Sequence, residues 1–166
     1  MNQGKIAWCM QQKRGIQLTE LKPHLSMSYM DEADATLENV FSSTGKWKLI
    51  TAYYACYNAL YAILMRCGIK CEIHDCTIEL MGFFDFTGKE REFMASLKED
   101  RIRAQYYLKN IQLKDEEDAK KFIVRCKTVL DSLDSEKIDA IRKSLKEGRV
   151  GGQSQGNPPR RAPPKD

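Results

Sequence analysis

The sequence has no apolar run suited to crossing a bilayer. Its longest uncharged stretch, Leu49 to Met65, is interrupted by Tyr53, Tyr54, Tyr57, Asn58 and Tyr61, and at about 17 residues it stands at the lower limit for a span. The opening MNQGKIAWCMQQKRG lacks the apolar core of a signal peptide, so a cytoplasmic location without membrane association is expected. No phosphate-binding G-x-x-x-x-G-K-[ST], no G-x-G-x-x-G, no H-E-x-x-H and no zinc-finger spacing is present, which removes those readings. No alternation of apolar and polar residues marks a strand. The remaining reading is an all-α chain, an antiparallel up-and-down bundle of four to five core helices behind a short N-terminal helix.

With 166 residues, 42% of them hydrophobic, the chain has the length and composition of one globular domain. The net charge of +4 is uneven: residues 148–166 hold Arg149, Arg160, Arg161 and Lys165 against Asp166, a net +3, leaving +1 for residues 1–147. Whole-chain charge therefore says little about a binding face. The division expected is a helical bundle over 1–147 and a basic Gly/Pro-rich tail over 148–166, with too little apolar surface to fold. Six cysteines in a reducing compartment are expected to be thiols, with Cys9, Cys56 and Cys126 as small core residues.

The segment Lys46–Cys76 organises the rest. Ala52, Ala55, Ala59 and Ala62 recur at intervals of three and four and share one face of a helix, where a neighbour can approach closely. Tyr53, Tyr57 and Tyr61 form a second stripe. A helix apolar nearly all round is a central one. Gly68 is placed to end it, and His74 opens the next helix after a short turn. Around this rod, Leu25, Tyr29, Ala33, Leu37 and Phe41 repeat every four residues. A helix from Lys89 carries Phe93, Leu97, Ala104 and Leu108. Asp115 caps another through Leu133, and Asp134 or Ser135 caps the last. Phe83, Phe84 and Phe86 crowd a turn suited to plugging the bundle's end.

Three constellations carry possible chemistry. Cys67, Cys71, His74 and Cys76 are soft-metal ligands within ten residues, but structural zinc sites usually draw ligand pairs from separate segments, and packed thiols are the expectation. Arg66 with His74 joins a phosphate-holding cation to a group that titrates near neutrality. Glu99 to Tyr107 interleaves Arg101 and Arg103 with Tyr106 and Tyr107, a pattern suited to phosphate contact and base stacking. The same stretch also allows a Glu99–Arg103 pair on a solvated helix face.

The run Ala52-Tyr53-Tyr54-Ala55, then Tyr57, Ala59, Leu60, Ile63, Leu64, Gly68 and His74, with Arg103-Ala104-Gln105-Tyr106 beyond it, resembles the HEPN family (higher eukaryotes and prokaryotes nucleotide-binding) over roughly residues 5–145. The resemblance implies a helical bundle that forms a homodimer, binds nucleotide or RNA, and is often paired with a minimal nucleotidyltransferase as toxin and antitoxin. Active members are metal-independent ribonucleases that use R-x(4–6)-H and need no cofactor. On this chain the resemblance points to His74 and Arg66 as catalytic and to Arg101, Arg103 and Tyr106 as ligand contacts. Arg66 and His74 enclose seven residues, outside that motif. Two readings therefore stay open: a ribonuclease, and a non-catalytic module that binds a free nucleotide or a protein partner.

Overall fold

A computed structural model describes residues 2–113 and 115–151. Seven α-helices dominate it: α1 (Gln3–Gln11), α2 (Pro23–Ser42), α3 (Gly45–Arg66), α4 (His74–Leu80), α5 (Gly88–Tyr106), α6 (Glu116–Asp131) and α7 (Ser135–Gly151). The chain is an all-α bundle, as the sequence predicts. The extended linker after α1 contributes one unforeseen feature. Its two-residue strand β1 (Gln17–Leu18) pairs antiparallel with β2 (Ile69–Lys70), a ladder too short to leave a mark in hydropathy.

Helix α3 is the axis. Ala52, Ala55, Ala59 and Ala62 are all fully buried, and the small-residue face lets α2 lie antiparallel against it. Ser26, near the start of α2, donates its hydroxyl to the Ala62 carbonyl at 2.7 Å near the end of α3. Helices α5 and α6 cover other sides, with Phe122 stacked on Phe86 at 5.8 Å and against Phe93 at 5.6 Å. In the phenylalanine turn Phe84 and Phe86 are buried and Phe83 packs against the core. Local signals set the boundaries. Pro23 occupies the first turn of α2, where its missing N–H costs nothing. Thr87 and Glu90 form a reciprocal capping box for α5. Asp115 accepts from the Glu117 amide at α6, and Asp134 accepts from the Lys137 amide at 2.8 Å ahead of α7.

Gly68 turns the chain out of α3 at φ +62°, the left-handed region that glycine enters freely. A Cβ there would lie 2.7 Å from the Thr19 carbonyl oxygen and 2.9 Å from that of Glu20. The guanidinium of Arg142 on α7 donates to the carbonyls of Cys67 (2.7 Å), Thr19 (3.0 Å) and Gly68 (3.2 Å). The side chain thus reaches the carbonyl that α3 leaves over at Cys67 and ties it to the β1 segment, whose Thr19 amide also donates to Gly68. This junction aims the β2 segment back along α3 and so delivers His74.

One expectation needs correction. Cys9 on α1 and Cys76 on α4 are joined by a disulfide, with Cα atoms 5.8 Å apart, so not all six cysteines are thiols. A sequence separation of 67 hides a pairing that exists only because α1 packs on α4. Cys56, Cys67, Cys71 and Cys126 are buried thiols. Helix α7 runs to Gly151, three residues past the start expected for the tail. The remainder of the expected tail, 152–166, lies outside the described residues. No described helix is long and apolar enough to cross a membrane.

Candidate functional site

Helical periodicity builds one wall of the site. Tyr53, Tyr57 and Tyr61 stand four residues apart on α3, and their rings stack in a ladder with centroids 5.9 and 5.8 Å apart. His74, the first residue of α4, lies on this ladder, its ring 4.3 Å from that of Tyr57 and inclined by 17°. The Tyr53 hydroxyl hydrogen-bonds His74 Nδ1. Tyr57 bonds the Thr77 hydroxyl at 3.3 Å, one turn into α4.

Arg101 of α5 supplies the opposite wall. It is 7% exposed, with its guanidinium carbon 4.9 Å from the Tyr53 ring, 5.2 Å from Tyr54 and 5.8 Å from Tyr106. Its Nη2 donates to the Tyr54 hydroxyl at 3.1 Å. Its Nε is buried without any partner, and among the described residues no carboxylate forms a salt bridge with it. The faces of tyrosine rings attract a cation, but they do not replace a counter-ion. Burying a charge without one is costly. Three residues earlier, Lys98 is also buried but is paired with Asp75 and, at 3.4 Å, with Glu99.

Burial depresses the pKa of His74, the positive charges of Arg101 and Lys98 depress it further, and Asp75 partly opposes them. The ring is therefore neutral at neutral pH. Burial raises the Tyr53 phenol far beyond any physiological pH, so its proton stays in place.

The residues singled out from the sequence divide. His74, Arg101 and Tyr106 converge around Tyr53 and Tyr54. Arg66 does not join them. It is exposed on the last turn of α3, nine residues beyond Tyr57, which is about 13 Å along the axis. Within the chain, the guanidinium that acts on the imidazole is that of Arg101 on α5. Arg103 is exposed and lies 3.8 Å from Asp100, on the solvent side. The cysteine–histidine set does not converge either, since Cys76 is bonded to Cys9. Among the described residues no group of three or more His, Cys, Asp or Glu is arranged to hold a metal ion.

Sequence reasoning missed Tyr53 and Tyr54 as site residues, along with Lys98 and Asp75. A signal for the first pair was present. On consecutive positions of a buried helix, Tyr53 and Tyr54 must point about 100° apart, so both hydroxyls cannot face the same neighbour. Asp75 and Lys98 carried no such mark, since each reads as an ordinary solvated charge. No family model, curated protein or solved structure matches the chain.

Proposed function

We propose that this chain binds the phosphate of a nucleotide or an RNA strand between α3, α4 and α5. The observation that carries the reading is Arg101, a buried guanidinium whose Nε has no partner and which pairs with no carboxylate among the described residues. Such a charge is retained at a cost in stability where an anion from outside completes it. Arginine's planar fork suits phosphate oxygens, and His74 and the Tyr54 hydroxyl stand around the same ring system to add hydrogen bonds. Tyr106 and Tyr107, 65% and 69% exposed, offer stacking surfaces for bases beside it. The resemblance to HEPN proteins agrees with this chemistry. It also supports a homodimer and a nucleotidyltransferase partner as parts of the proposal.

Two experiments decide it. Titration of the purified protein with AMP and with a short single-stranded RNA should give saturable, salt-sensitive binding. Arg101→Met should weaken binding by about tenfold or more, the loss of a charge-assisted pair, and Arg66→Ala should change it by less than about twofold. Equal loss in both variants, or none in either, refutes the site.

RNA cleavage is the second reading, favoured by the shared packing of His74 and Arg101 on the Tyr53 ring. In it His74 would take a proton from the 2′-hydroxyl and Arg101 would stabilise the developing phosphorane charge. The protein-binding alternative is tested in the same titration: a carboxylate-bearing peptide that displaces AMP would point to it.

A further inference from the structure

The hydrogen bond between Tyr53 and His74 fixes more than the orientation of a ring. Among the described residues, the Tyr53 hydroxyl has no other partner than His74 Nδ1. A buried phenol that stays protonated must donate its proton to an acceptor, and Nδ1 is the acceptor at hand. An acceptor nitrogen carries no hydrogen, so the neutral ring keeps its single proton on Nε2. Nε2 makes no hydrogen bond within the described residues, and His74 is half-buried, so Nε2 is the ring nitrogen left to meet a ligand. The reverse arrangement, Nδ1–H donating to the phenol oxygen, would leave the Tyr53 proton with no acceptor in a buried site.

We infer that Tyr53 is a positioning residue that holds His74 as the Nε2–H tautomer, so that imidazole and Arg101 together donate to a phosphate ester and retain it without cutting it. The inference rests on the phosphate reading above and specifies its chemistry. A general base for a 2′-hydroxyl needs a lone pair on the nitrogen that faces the substrate. Here the only lone pair on the ring is spent on Tyr53, and the outward nitrogen is a donor. The electrostatics of the ring agree: burial, Arg101 and Lys98 disfavour the imidazolium and outweigh Asp75. A neutral imidazole that acts as a hydrogen-bond donor follows. The site is then a receptor for a phosphate group carried on a nucleotide or on a strand end, not a nuclease centre.

The test uses the full chain labelled with 15N and long-range proton–nitrogen correlation of the imidazoles at pH 7.5, alongside AMP titration and incubation with single-stranded RNA. The expected result is Nε2–H as the sole tautomer of His74, saturable AMP binding and intact RNA. Tyr53→Phe keeps the stacked ring but removes the donor. It should admit a population of Nδ1–H, raise the His74 pKa toward the ordinary imidazole value, and weaken AMP binding by about fivefold. Tyr29→Phe on α2, a ring that packs on Tyr61 and touches neither His74 nor Arg101, should change none of these, with unchanged thermal unfolding showing that both variants fold. His74 found as Nδ1–H in the unsubstituted protein, or RNA cleavage abolished by His74→Ala, overturns the inference. Nε2–H with no binding of AMP or inorganic phosphate overturns the phosphate reading and leaves the tautomer assignment standing.

Discussion

His74 is held neutral by its surroundings, and that has a measurable sign. Its folded pKa lies below the ordinary imidazole value of about 6.5. Between the two values the unfolded chain binds more protons than the folded one, so stability rises with pH across that window. Thermal unfolding should therefore show a melting temperature that falls as pH drops below about 6.5, and His74→Gln should flatten that slope. A saturating phosphate ligand places an anion beside the ring and should raise its pKa, moving the fall to lower stability away from the ligand-free window. Of the side chains involved, His74, Arg101 and Tyr106 were readable as candidates because each stands in an unusual local pattern. Arg66 is close to His74 in sequence, but it stands exposed on the last turn of α3. A helix of 22 residues carries its last turn far from the level at which the chain returns. Tyr53 was hidden by its context: in a tyrosine- and alanine-rich helix, a hydroxyl with a task looks like one more core ring.

At the scale of elements, the junction after α3 governs where His74 arrives. Gly68 has a positive φ and backbone oxygens crowd its Cβ position, so Gly68→Ala should destabilise by more than about 1 kcal/mol. Denaturant unfolding measures this, with a lowered midpoint and an unchanged slope as the expected outcome. The helices themselves were legible from intervals of three and four, and their ends from Pro23, Asp115 and Asp134. The β1–β2 ladder was not, because two residues per strand give no periodicity. Lys98 and Asp75 illustrate the same limit in electrostatics. Each is an unremarkable charge on its own helix, and only the packing of α4 on α5 joins buried Lys98 to exposed Asp75, which leaves Arg101 as the buried cation without a counter-ion among the described residues.

For the molecule as a whole, the Cys9–Cys76 disulfide ties the N-terminal helix to the element that carries His74. It closes a loop of 67 residues, for which a contribution of about 2–4 kcal/mol is typical. Reduction should lower the melting temperature by on the order of 10 °C, and a Cys9→Ser variant should melt at the reduced value with or without reductant. Lack of any reductant effect would mean that packing of α1 on α4 and α7 holds that end unaided. All-α architecture was visible from composition and periodicity, but this covalent tie was not, since topology alone brings the two cysteines together.

The central claim is that Arg101 is kept buried and unpaired for an external phosphate. It is tested most directly by thermal unfolding of the protein and of Arg101→Met, each with and without saturating AMP. Without ligand the variant should be at least as stable, because removing a buried charge that lacks a counter-ion removes a cost. With ligand at about 100-fold above its Kd, the unsubstituted protein should gain about 2.7 kcal/mol and the variant should gain nothing comparable. A variant that is strongly destabilised on its own, yet gains as much from AMP as the parent, would contradict the claim by making Arg101 a structural residue.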